Sequence, residues 1–100
     1  MQELVRGAVR LHILHHAADG AVNGAWMAEE LARHGYAISP GTLYPTLHRM
    51  EAGGLLSSTR RVHEGRTVRE YTITPAGRKA LLAGRRTLRE LADEVLGDTD

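Results

Sequence analysis

His12, His15 and His16 stand at i, i+3 and i+4 in a stretch of helical periodicity. On a helix, two imidazoles one turn apart can chelate a divalent cation. No carboxylate lies inside the triplet and the chain has no cysteine, so the donor set is thin and weighs against a metal site. No cofactor is expected either. Serines and further histidines are scattered along the chain, but nothing sets a nucleophile against a base. There is no phosphate loop and no glycine-rich nucleotide fingerprint. The residue types do not describe an enzyme.

A second constellation is more specific. In "SPGTLYPTLHRM", Leu43, Leu47 and Met50 recur at i, i+4 and i+7 and predict one buried helical face. Ser39, Gly41, Thr42, Tyr44, Pro45 and His48 lie off that stripe. Hydroxyls can bond phosphates or base edges, and the threonine methyl and proline ring can meet the thymine methyl. Gly41 and Pro45 keep the helix end slim. A capped structural helix with an ordinary polar face is the plainer alternative. Downstream, Arg60, Arg61, Arg66 and Arg69 flank "HEGR", where a hairpin tip could reach the DNA backbone or minor groove. Solvated charge on an edge hairpin is the alternative there. Arg49, His48 and His63 complete the candidate DNA-facing set. The two histidines could make affinity respond to pH near neutrality.

The charge distribution agrees. Residues 39–79 hold seven basic and three acidic side chains, a net +4, whereas residues 1–38 and 80–100 carry −1 and −2. A basic centre between mildly acidic ends suits a polyanion. One hundred residues make a single small domain that is often marginal alone. No apolar run is long enough to span a bilayer, and the N-terminus lacks a signal-peptide pattern. With no cysteine, a reducing cytoplasm is the expected location.

Five elements must position these groups. A helix is predicted over about Gln2–Ala18, with Leu4, Ala8, Leu11 and Ala18 on one face and Val5, Val9 and Ile13 on a second, ending at Asp19-Gly20. So much apolar circumference predicts packing on two sides. A second helix spans about Gly24–Arg33, capped by Asn23 and stopped by His34-Gly35. A third begins at Ser39-Pro40, a hydroxyl N-cap followed by proline at the first helical position, bends locally at Pro45 and stops at Gly53-Gly54. "LLSSTRRV" and "TVREYTIT" read as strands of a hairpin with Gly65 in the turn. A last helix starts at Thr74-Pro75 and runs to about Leu96. Its Leu81, Leu88 and Val95 repeat every seven residues, widened by Leu91, Ala92 and Leu96, a seam suited to pairing between chains, with a long helix covering its own domain as the alternative. Two short helices, a tight turn and a basic hairpin describe a helix-turn-helix with a wing. The expected class is mainly α with a small β-hairpin: a winged helix-turn-helix over residues 1–74 and a C-terminal dimerisation helix over 75–100.

"SPGTLYPTLHRMEAGGLL" followed by "EGRTVREYTITPAGRKAL" resembles the PadR family of bacterial transcriptional regulators. That pattern runs roughly G-T-L-Y-P-x-L-x-R-L-E-x-x-G-L-I, then G-R-x-x-x-Y-Y-x-[LI]-T-x-x-G. The resemblance implies a homodimeric winged-helix DNA-binding repressor, paired through its C-terminal helix with help from the N-terminal one. Leu4, Val5, Val9, Leu81, Leu88, Leu91, Ala92, Val95 and Leu96 are the expected dimer contacts. The short C-terminal part resembles the subfamily with a single such helix. Two departures stand out: Asn23-Gly24-Ala25-Trp26-Met27 where relatives often have H-G-Y-x-I, and Glu70 at the first tyrosine of Y-Y. Some relatives hold flat hydrophobic compounds between tryptophans of the C-terminal helix. That helix has no aromatic residue here, so the pocket is not carried over. Trp26 either packs on the first helix or walls a ligand pocket near the dimer interface.

The expected function is a dimeric repressor on a pseudo-palindromic double-stranded DNA operator, released by a signal or a small-molecule effector. The alternative is a ligand-sensing or protein-interaction module on the same scaffold with weak or no specific DNA binding.

Overall fold

The computed structural model describes residues 1–97. The last three residues of the segment assigned to the C-terminal helix lie outside the described residues. The elements run α1 Gln2–Asp19, β1 Val22–Asn23, α2 Gly24–Arg33, α3 Pro40–Ala52, β2 Leu56–His63, β3 Arg66–Ile73 and α4 Pro75–Val95. All five expected elements are present. The addition is β1, which pairs antiparallel with β3 through Val22–Tyr71 and Asn23–Glu70 and makes the sheet three-stranded in the order β1-β3-β2. Two residues carry no readable alternation, so this strand is visible only once β3 is in place beside it.

Local chemistry starts each helix. Asn23 Oδ1 accepts from Trp26 N at 2.8 Å, capping α2. Thr74 Oγ1 accepts from Gly77 N at 2.9 Å at the head of α4. Ser39 departs from expectation. It precedes Pro40, but its side chain makes no cap bond. Its hydroxyl donates instead to Thr42 Oγ1 at 3.3 Å, while its carbonyl accepts from Thr42 N and Leu43 N. The Thr42 N–H that a capping hydroxyl would take is already satisfied by the Ser39 carbonyl, so the hydroxyl is less needed at the helix end. The hairpin turn places Glu64 at φ 51° and Gly65 at φ 75°, the pair of positive values that a two-residue type I′ turn requires.

The core is aliphatic. Val9, Ile13, Leu14 and Ala17 of α1 meet Met27 and Leu31 of α2, Leu43, Leu47 and Met50 of α3, Leu56, Tyr71, and Leu81 of α4. Burying a side chain of this size contributes on the order of 1.5–3 kcal/mol, so the stripe on α3 holds that helix firmly from behind. Two glycines permit close crossings. A Cβ at Gly84 would stand 2.7 Å from Leu11 Cδ1, and one at Gly77 would stand 2.7 Å from Ile73 Cγ1. The first glycine lets α4 lie tight against α1; the second seats the start of α4 on the sheet.

Candidate nucleic-acid interface

With its stripe buried, α3 turns its other face outward. Ser39, Gly41, Thr42, Tyr44, Pro45, His48 and Arg49 are all exposed. The helix continues through Pro45. Thr46 Oγ1 donates to the Thr42 carbonyl at 2.8 Å, and Arg49 Nη2 reaches Thr46 Oγ1 at 3.4 Å, so the polar face is organised along one line of side chains. Tyr44 is 41% exposed, yet one side of its ring lies on the first residue of α2. A Cβ at Gly24 would come within 2.8 Å of Tyr44 Cζ and Oη, which no real side chain tolerates without movement. Gly24 is therefore the bed of the Tyr44 ring, a role its sequence position did not reveal.

The wing arginines divide into two kinds. Arg61 Nε pairs with Glu70 Oε1 at 2.9 Å across the hairpin. Arg69 is partly buried: its Nη1 donates to Ser58 Oγ at 2.9 Å, and Ser58 Oγ donates to Glu51 Oε2 at 2.7 Å. That chain ties the base of the wing to α3 and fixes the angle between them. Arg60 and Arg66 are exposed with no ion-pair partner among the described residues, and His63 Nε2 lies 3.2 Å from Glu64 Oε1 at the turn. Ser58 and Glu51 are the residues that the pattern of basic side chains did not flag; their signal is the hydrogen-bond relay alone.

The apolar side chains expected between chains also divide. Val9 and Leu81 are 6% and 4% exposed and belong to the chain's own core. They face inward because α1 and α4 cross at Leu11 and Gly84. Leu4, Val5, Leu88, Leu91, Val95 and Leu96 remain exposed, joined by Leu82; Ala92 is half-buried. Between α1 and α4 lies an open groove of about 760 Å³, lined by Leu4, Ala8, Leu11, Leu88 and Leu91 among others. Trp26 does not line it. Its ring, 38% exposed, stands edge-on to His16 of α1 at 5.3 Å, so it packs on the first helix.

The histidines form a cluster that the sequence did not predict. The turn after α2 brings His34 to His12 and His16, and the ligand-type nitrogens of the three lie within 4.8 Å of one another. Glu30 of α2 enters the same space. Its Oε2 is 3.4 Å from His16 Nε2 and 3.1 Å from His34 Nε2, while its Oε1 is held by Arg33 Nη2 at 2.6 Å. His15 turns away, with Nδ1 3.4 Å from Arg85 Nη2. The Arg33 hydrogen bond is the leading cause that holds the Glu30 carboxyl below its ordinary range. Burial, reinforced by His34, His16 and His15 and opposed by Glu30, holds His12 below the ordinary imidazole value. Burial also lowers His16, against the pull of Glu30.

An exposed polar helix face, backed by a buried stripe and braced to a basic wing, has the geometry of a DNA reader. Residues 13–83 match the model of the transcriptional regulator PadR-like family. The chain belongs to that family. It is 67% identical over 97 residues to the transcriptional regulator Rv3488 of Mycobacterium tuberculosis, covering 97% of this chain and 91% of that one. Among solved structures it is similar to a PadR family transcriptional regulator from Eggerthella lenta, with TM-score 0.84 and 30% identity over 99% of this chain and 89% of the other. A transcriptional regulator from Thermoplasma acidophilum gives TM-score 0.82 and 28% identity over 98% and 99% of the two chains. The PadR-like chain is thus a winged-helix, DNA-binding transcriptional regulator rather than an enzyme. No helix among the described residues is long and apolar enough to cross a membrane.

Proposed function

We propose that this PadR-like regulator is a homodimeric repressor that reads a pseudo-palindromic operator with α3 and grips the flanking backbone with its wing. The observation that carries the reading is the exposed first turns of α3, from Ser39 to His48, braced to the wing by Glu51, Ser58 and Arg69. Tyr44, Thr42 and Pro45 are the base-edge candidates. Arg60 and Arg66, free of acidic partners, suit phosphates, as does Arg49 beside them in the set. Arg61 and Arg69 are engaged within the fold and contribute mainly by shaping the wing.

The dimer reading rests on α4. Its 21 residues span about 31 Å, and only Gly77 and Leu81 are buried. Leu82, Leu88, Leu91, Val95 and Leu96 leave a long apolar side uncovered, which a second copy of α4 with the exposed Leu4 and Val5 of α1 would cover. Two-fold symmetry then sets half-sites about one helical turn apart, or a multiple of it. Residues 1–74 read DNA and α4 joins the chains, although Leu81 locks the two into one core. Such a protein works where its DNA is, in the cytoplasm, and is released from the operator by a signal.

Selection of bound sequences from random DNA, read beside the oligomeric state in solution, tests the reading. Enrichment of a two-fold symmetric site by a dimer is the expected result. Salt-insensitive or absent DNA binding would favour a protein-interaction module on the same scaffold.

A further inference from the structure

We propose that His12, His16 and His34, with Glu30 as the carboxylate partner, form a binding site for a divalent transition cation of the zinc class. The donors come from three places in the chain: one turn of α1, the body of α2, and the residue that caps the end of α2. Three imidazoles and one carboxylate suit zinc and its borderline neighbours and are poorly suited to magnesium or calcium, which prefer all-oxygen shells.

The geometry needs little change. At Zn–N bonds of about 2.0–2.1 Å, tetrahedral ligand atoms lie about 3.4 Å apart. The three nitrogens already lie within 4.8 Å of one another, so turning the side chains closes the remainder. Glu30 Oε2 is 3.1 and 3.4 Å from two of them, already at the spacing of ligands around one ion. Arg33 fixes the other oxygen of that carboxylate, the kind of outer support that orients a metal ligand.

A purely structural polar cluster explains the arrangement less well. One carboxylate cannot serve three imidazoles, and His12 makes ring contacts with His34 at 4.8 Å and Tyr36 at 5.3 Å but no hydrogen bond among the described residues. Protonated, the three rings would repel one another. Neutral, they turn several lone pairs toward a common space, the state in which imidazole binds a metal.

The position gives the site a regulatory meaning that rests on the DNA-binding reading above. An ion here would bolt α1, which carries part of the exposed apolar face, to α2 and to the turn that leads into α3. It would fix the angle between the pairing helices and the reading head, so operator affinity would depend on the metal.

The test uses the full chain after treatment with a chelator. Zinc is titrated in against a chromophoric competitor, and melting is followed with and without the ion. One ion per chain is expected, with a raised melting temperature. His34→Ala, at an exposed position, and His12→Ala should each weaken zinc at least tenfold and remove most of the thermal shift. Glu30→Gln should weaken it less than either. Absence of stoichiometric zinc binding by the wild-type chain overturns the site, as does binding unchanged in both histidine variants. DNA affinity is then measured with zinc and with chelator. A difference of about fivefold or more supports coupling. Equal affinities overturn the coupling and leave the site standing, while no specific DNA binding in either condition counts against the proposed function and not against the site.

Discussion

The ring of Tyr44 in α3 rests on the backbone of Gly24 at the start of α2, so close that a Cβ at residue 24 would stand 2.8 Å from the phenol carbon and oxygen. The one tyrosine on the exposed face of α3 is thus aimed by the helix before it. Gly24→Ala should push the ring off its bed. The expected result is specific DNA affinity reduced about tenfold, roughly 1.4 kcal/mol, with the far-ultraviolet circular dichroism of the helices retained. Unchanged affinity would mean that the aim of Tyr44 is immaterial.

Tyr44→Ala tests the contact itself. A base-edge contact is worth about 1–3 kcal/mol of discrimination, so operator binding should fall while affinity for random DNA stays near the wild-type value. Competition between operator and random duplexes gives both numbers from one series. Equal losses on the two would make Tyr44 a backbone contact.

The wing predicts a contrast between arginines. Arg66→Ala and Arg60→Ala should weaken operator and random DNA alike and lower the salt slope by about one each. Arg61→Ala should matter less, because Glu70 already engages that guanidinium at 2.9 Å. Binding measured across a range of potassium chloride separates them, and an Arg61 effect as large as that of Arg66 would contradict the division.

Assembly and folding should separate along α4. Leu88→Glu or Leu91→Glu places charge on the exposed apolar side and should shift the protein to monomers in sedimentation, with the helices retained. Leu81→Ala opens a cavity in the core instead and should cost about 2–5 kcal/mol of folding stability. A dimer that survives Leu88→Glu and Leu91→Glu together would place the interface elsewhere.

Tyr71 predicts an alkaline limit. Burial, then the Glu51 carboxylate, raises its phenol above the ordinary value of 10.0. The unfolded chain therefore loses that proton at a lower pH than the folded one. Stability from this group is complete below about pH 10 and declines as pH rises above it. Denaturant melts at pH 9 and above, read beside tyrosinate absorbance, should show one of the three tyrosines ionising only as the chain unfolds.

Much of this molecule could be read from local signals. Ser39-Pro40 and Thr74-Pro75 mark the starts of α3 and α4; Leu43, Leu47 and Met50 are all buried as the spacing predicts; Gly65 sits in the turn. These features depend on neighbours a few residues apart. What escaped depends on distant residues meeting. The two-residue β1 exists because β3 offers it a ladder. The histidine cluster needs α2 to deliver Glu30 and His34 to the face of α1, so the triplet alone looked short of donors. Val9 and Leu81 match the periodicity of a surface seam, and only the crossing of α1 and α4 shows that the chain covers them itself. In the same way nothing in "NGAW" announces that Gly24 bears the weight of a ring twenty residues later.

Asn23 does two jobs at one point: its side chain caps α2 while its backbone pairs with Glu70 of β3. The wing is also tied to α3 through Arg69, Ser58 and Glu51. With both ties made, the hairpin cannot swing independently of the two helices beside it. Because Leu81 also seats α4 in the same core, the proposed dimer would resemble a pair of calipers with stiff jaws, whose setting depends on how the two copies meet. In that proposed assembly, whatever changes the seating of one copy on the other would reset the gap between the jaws, and with it the length of DNA they could span.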